Sequence, residues 1–569
     1  MSRRPIRGVL CVCVLSFQLY GAETPAQPGS PGISAAGANT AEGSTNAVST
    51  TASSEDLKQL RKRIAQQEEA IKQLQKSVEE QQILLEKAIA NTTAPDAVNT
   101  VNVANGSAPV QLAPAVNVAR PRALFGRQNL QAANPSPLSI RIGDSTFTPL
   151  GFVDATAFGR STNLGSSLGT NFAAIPYNTV PQGHLAENNF STQNSRIGFR
   201  VDSQVLGAKV LGYFEADFLG NQPGNVFVTS NADTFRMRNV FVDVQKDGFE
   251  VLAGQDWSLA TPNRKGLSPL PSDIFYTQNM DTNYQVGLVW ARQTQFRFIA
   301  HPTDNVAFGV SLENPQQYNG GSAGAPLVTL PAALQANTAV GNEFNNGANN
   351  YSSSNLHPDI IFKGAYDGHV GDGQVMHVEA VGLVRSFHDT IPVGSPTTYR
   401  TSEATAASGE VNANLEVRKN FRIIANTFFG SGNGRYAFGL APDFAVRADG
   451  SISPMHTYST VDGFEVNLHK NTLLDMYYGG IYIKRDVTVD STRSLVGYGY
   501  AGSPNSQNRS IQEGTIGVTQ TLWKNPSYGA LSVITQYSYL TRNPWAILTG
   551  QPRATHSNMY WIDLRYTLP

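Results

Sequence analysis

The chain is poor in cysteine. Cys11 and Cys13 are its only two, and both lie in the N-terminal segment read below as a signal. Removal of that segment leaves no thiol, which excludes cysteine catalysis, disulfide frameworks and cysteine metal sites. No run of about 18 apolar residues exists, which excludes a transmembrane helix. Charge of one sign is missing too: 42 Lys and Arg stand against 43 Asp and Glu, a net −1 that gives no pull on nucleic acid. The nine histidines are scattered without metal-ligand spacing. No glycine-rich phosphate loop joins a strand to a helix. No catalytic constellation stands out, so the reading is a non-enzyme with no cofactor and no metal site. A mean hydropathy of −0.24 looks soluble. A transmembrane barrel would look the same, because only every second strand residue faces lipid.

What is present begins with a secretory signal over residues 1–22. Arg3, Arg4 and Arg7 form a basic region, Gly8 to Leu19 a short apolar one, and cleavage is expected between Gly21 and Ala26. Residues 23–53, rich in Ala, Gly, Ser, Thr and Pro, read as a flexible linker. Residues 54–90 change to Gln, Lys, Glu and Leu with no Gly or Pro. Leu57, Ile64, Ile71, Val78 and Leu85 recur every seven residues, with Leu60 and Leu74 on the second seam position. This predicts a coiled coil of about five heptads. Gln67 and Gln81 on the same seam weaken it and help set oligomer state. Residues 91–138 form a second linker.

Residues 139–569 have one texture throughout. Strand-like runs rich in Val, Phe, Tyr, Gly and Thr alternate with gaps of two kinds. Short gaps fall near 205–208, 246–247, 303–305, 367–373, 418–420, 469–471 and 524–527. Long gaps fall at 161–189, 221–233, 261–283, 314–356, 387–408, 432–456, 486–509 and 543–555. Strict alternation of short and long gaps predicts an all-β transmembrane protein: about 16 antiparallel strands closed into an outer-membrane β-barrel. The short turns and both chain ends would face the periplasm, as would the N-terminal coiled-coil helix. In the last run, Tyr560, Ile562, Leu564, Tyr566 and Leu568 share one face, and Trp561, Asp563, Arg565 and Thr567 the other. The partner implied by that pattern is outer-membrane lipid.

The inward face of the early strands is basic. Ile197, Phe199 and Val201 alternate with Arg196 and Arg200, Phe235 and Met237 with Arg236 and Arg238. Glu215 and Asp217 lie on the returning polar face. A turn centred between Val205 and Leu206 would set Arg196 opposite Glu215, and one at Lys246–Asp247 would set Arg238 opposite Gln255. Arg297 joins the pore-lining set from the sixth strand. The gap 261–283 carries Arg264, Lys265, several prolines, Phe275 and Tyr276, and is the candidate constriction loop. Guanidinium forks in a narrowed pore favour small anions such as carboxylates or phosphates. The same arginines could equally do no more than pair with Glu215 and Asp217.

Signal, coiled coil, linker and barrel in this order resemble the DcaP-like trimeric outer-membrane porins. Four stretches carry the resemblance: Ser195-Arg196-Ile197-Gly198-Phe199, Phe214-Glu215-Ala216-Asp217-Phe218, Phe235-Arg236-Met237-Arg238-Asn239 and Leu252-Ala253-Gly254-Gln255-Asp256-Trp257. They are similar to the SRLG, ExDF, RLRHA and AGQTWS segments of that family. The resemblance implies a homotrimer and passive uptake of small hydrophilic anions of the dicarboxylate type, with Arg196, Arg200, Arg236 and Arg238 at the functional positions. Phosphate-selective porins are the nearest rival family, and a structural or adhesive outer-membrane anchor is the rival role. Peptidoglycan is a candidate partner of the coiled coil. The long loops and the final Pro569 depart from the family pattern.

Overall fold

A computed structural model describes residues 136–569 apart from 221–232, 276, 279, 281–283, 319–327, 333–354, 371–373, 393–397 and 439. Before Ser136 it describes Lys62, Glu69 and Lys72, which are helical and exposed. The coiled-coil core positions Leu57, Leu60, Ile64, Ile71, Leu74, Val78 and Leu85 lie outside the described residues, as do the signal segment and the linkers up to Pro135.

Sixteen strands close into one antiparallel barrel. They are β1 (Ser145–Arg160), β2 (Arg196–Val205), β3 (Ala208–Asp217), β4 (Arg236–Lys246), β5 (Phe249–Trp257) and β6 (Arg292–Thr303). Next come β7 (Val306–Glu313), β8 (Asp359–Val370), β9 (Gln374–Pro392), β10 (Tyr399–Arg418) and β11 (Phe421–Ser431). The ring finishes with β12 (His456–His469), β13 (Thr472–Ile483), β14 (Asn508–Asn525), β15 (Gly529–Pro544) and β16 (Thr555–Thr567). Closure is made by β1, which pairs β2 through Thr146–Phe152 and β16 through Phe152–Arg160. Closure leaves no unpaired edge, which is what a strand protein in lipid requires. Two short strands, Ile140–Ile142 and Glu187–Ser191, add to β1.

The period of two sorts side chains between outside and inside. On β16, Tyr560, Ile562, Leu564 and Tyr566 are exposed while Met559, Trp561, Asp563 and Arg565 are buried. Outside β1–β3, Phe147, Phe199 and Phe214 stack in a row at ring separations of 5.3 and 5.2 Å. Large apolar side chains remain exposed on the outer face of strand after strand, among them Val242, Phe298, Phe362, Phe429, Tyr478 and Ile516.

Two expected turn centres are corrected. The β2–β3 turn is Leu206-Gly207 at φ 51° and 79°, and the β4–β5 turn is Asp247-Gly248 at φ 50° and 81°. Both central residues take positive φ, the conformation whose twist suits a two-residue hairpin, and glycine accepts it at the second site. Each turn centre therefore lies one residue later than expected. Arg196 faces Asp217 rather than Glu215, and Gln255 faces Val240 rather than Arg238. A one-residue slip of the centre moves partners by two, so every side chain keeps its face. The expected long gap 387–408 is also corrected. β9 and β10 pair without a break from Met376↔Leu415 to Pro392↔Tyr399. Their extension is held from inside, where Phe387, Ile391 and Ala406 pack on Phe444, Val446 and Ile452 of the β11–β12 connection.

Candidate lumen site

The described residues of the β5–β6 connection, 258–291, run through the interior of the barrel. Its backbone meets inward side chains of distant strands. Leu259 N donates to Glu313 Oε1 on β7 at 2.8 Å. Lys363 Nζ on β8 donates to Thr261 O and Asn263 Oδ1, both at 2.8 Å. Gln278 N donates to Tyr477 OH on β13 at 3.1 Å, and Met280 N to Gln536 Oε1 on β15 at 2.7 Å. Val286 N donates to Glu513 Oε2 on β14 at 3.0 Å. Apolar packing seals these contacts: Trp257, Ile274, Phe275, Tyr284, Leu288 and Trp290 bury against Ile424, Val461 and Tyr477 of the far wall. Each large side chain buried this way contributes about 1.5–3 kcal/mol.

The segment approaches β13 so closely that glycine is required there. A Cβ on Gly479 would lie 2.0 Å from Val286 O, and one on Gly287 would lie 2.3 Å from Thr460 O. The sequence offered no signal for this contact beyond the Gly479-Gly480 pair itself.

Of the two constriction-loop residues, Arg264 forks onto Glu465 of β12 with its Nη atoms at 2.6 and 2.9 Å, and its Cζ lies 4.9 Å from the Phe275 ring centroid. Lys265 is exposed. Tyr276 lies outside the described residues.

The arginine row is brought together and is largely ion-paired. Arg238 donates to Glu215 at 2.7 Å and Asp217 at 2.8 Å. Arg236 forks onto Asp217 at 2.6 and 2.9 Å. Arg196 lies 3.4 Å from Glu215, and Arg200 forks onto Asp202 at 2.5 and 2.6 Å. Arg297 reaches Asp256 at 3.4 Å and Trp257 O at 2.7 Å. A bulge explains the crowding. The β3–β4 register runs from Glu215↔Asn239 to Ala216↔Met237, so Arg238 and Asn239 are both buried. Three guanidiniums, from Arg196, Arg236 and Arg238, thus share two carboxylates.

Sequence reasoning missed several inward residues. Arg292, the first residue of β6, places its Cζ 4.9 Å from the Trp257 ring centroid, and Arg238 lies over the same ring at 5.6 Å. The opposite wall carries carboxylates. Glu379 lies 2.8 Å from Lys363 and 3.0 Å from His377, and Glu410 is buried on the next strand. Strand parity alone could have flagged Glu379 and Glu410, since both sit at alternate positions among apolar neighbours. In the β11–β12 connection, burial pushes the Asp443 carboxyl up although Arg385 stands 2.9 Å away. Among the described residues no group of His, Cys, Asp and Glu could hold a metal ion.

No family model matches the chain, and no curated protein matches it by sequence. Similarity appears at the level of solved folds. The outer membrane channel DcaP of Acinetobacter baumannii superposes with a TM-score of 0.53 at 16% identity, over 75% of this chain and 98% of that one. An anion-selective porin from Comamonas acidovorans gives 0.42 at 12% identity, over 74% and 99%. Salmonella typhi OmpF, in complex with daunomycin, gives 0.41 at 12% identity, over 75% and 99%. The barrel therefore shares the fold of the DcaP channel.

Proposed function

We propose that this chain is a homotrimeric porin of the bacterial outer membrane. It passes small hydrophilic solutes by diffusion, preferring anions of the dicarboxylate type, and carries its coiled coil in the periplasm. One observation carries the reading: a closed barrel with exposed apolar side chains all round its outer face and charged ones within. Contiguous exposed apolar surface of that extent is stable in lipid and not in water. The 258–291 segment inside the barrel supports a narrowed passage. The anion preference rests on charge. Arg196, Arg236 and Arg238 exceed Glu215 and Asp217 by one, and Arg292 beside them adds another. A local positive potential in a narrow water-filled path raises the anion concentration there.

The test is the reversal potential of the purified protein in planar bilayers across a salt gradient. The expected channel is anion-selective, and its preference shrinks as salt rises, because the Debye length falls to about 3 Å at 1 M. A protein that opens no channel would return the weight to a structural anchor. A cation-selective channel would leave the porin and remove its anion preference.

A further inference from the structure

Within the basic part of the lumen one guanidinium differs from the rest. Arg196, Arg200, Arg236, Arg238 and Arg297 each have a carboxylate within 4 Å. Among the described residues Arg292 has none, and its Nη1 is buried without a hydrogen-bond partner. It is held instead by the Trp257 indole, 4.9 Å from the ring centroid. A buried donor without an acceptor costs about 1–3 kcal/mol, more for a charged group. Arg238 shares that indole, and both Arg238 and Arg236 act on Arg292 as like charges, opposed in part by the more distant Asp217 carboxylate. Arg236 keeps 37% of its side chain exposed, so the cluster opens to solvent on its side. An anion entering there would complete the Arg292 donors and relieve the repulsion together.

We infer that Arg292, with the exposed side of Arg236, forms the anion-binding subsite of this lumen, suited to a carboxylate held by two guanidiniums. Arg292 is then the specificity-determining residue, and the ion-paired row around it is scaffold. The inference rests on the anion-preferring porin reading above.

The ion pairs also decide which variant is informative. Changing Arg236 and Arg238 to Gln leaves Asp217 without its two partners and cancels the local positive excess, so a loss of anion preference follows on either view. Among the described residues Arg292→Gln frees no carboxylate.

The experiment uses the full chain in planar bilayers, with malonate as the probe of open-channel block and the reversal potential as the measure of selectivity. Arg292→Gln should lower the anion-to-cation permeability ratio several-fold and remove malonate block. Arg292→Lys keeps the charge without the planar fork. It should hold the ratio and weaken malonate block roughly tenfold. Arg418→Gln, at the exposed end of β10, should change neither. Heat-modifiable mobility on gels checks that each variant is folded. If Arg292→Gln does not fold, the Lys variant decides: unchanged malonate block overturns the subsite. An anion-selective wild type whose Arg292→Gln variant keeps both ratio and block also overturns the subsite and leaves the porin reading intact. A cation-selective wild type overturns the anion reading itself.

Discussion

Asp217 accepts from two guanidiniums, Arg236 and Arg238, and its own side chain is fully buried. Removing one partner of a buried ion pair costs about 3–5 kcal/mol, because the other charge stays buried. Asp217→Asn keeps the shape and removes the charge. The unfolding temperature seen by gel mobility should fall, and the anion-to-cation permeability ratio should rise as Arg236 loses its counter-charge and Arg238 keeps only Glu215. An unaltered ratio would mean that these arginines do not feel the permeating ion. That the arginines point inward was legible from alternation alone. Pairing with Glu215 and Asp217 was one open reading, but which carboxylate each arginine meets was not legible, because it depends on a turn centre at Leu206-Gly207 and a bulge at Arg238. Hydrophobic periodicity sets the face of a side chain, and register sets its neighbour.

At the scale of elements, the segment 258–291 crosses the lumen and rests on β13 through Gly479. A side chain there would collide with backbone, which cannot rotate away. Gly479→Val should dislodge the segment and raise single-channel conductance while the barrel stays heat-modifiable. Gly480→Val is the matched control, since a Cβ there meets nothing nearer than 3.4 Å. Equal conductance in both variants would show that the segment is held elsewhere. The content of this segment marked it as unusual in the sequence: Arg264, Lys265, prolines and aromatics in one gap. Its path could not be read, because its anchors Glu313, Glu465, Glu513 and Gln536 lie far along the chain. The extension of β9 and β10 across 387–408 escaped for a related reason. Its Thr, Ser and Ala residues have the composition of a loop, and only the Phe444–Val446 hairpin strand packed beneath it sustains pairing.

For the whole molecule, strand closure satisfies the barrel backbone without help from residues outside the ring. Deleting residues 54–90, the proposed coiled coil, should leave a barrel that inserts in membranes and gives a β-rich far-UV spectrum, while the yield of the proposed trimer falls. Trimers of unchanged stability after the deletion would separate the coiled coil from assembly.

The sequence by itself determined the class of this protein. Two kinds of gap in strict alternation and a period of two carry strand number, closure and the outward apolar face, because these follow from local geometry repeated along the chain. The tertiary structure decided the character of the lumen. Which arginines are neutralised, how the 258–291 segment crosses, and why Arg292 lies over Trp257 with no carboxylate among the described residues all depend on contacts between strands far apart in sequence. Charge in a lumen is a sum over neighbours, and neighbours exist only once the ring has closed.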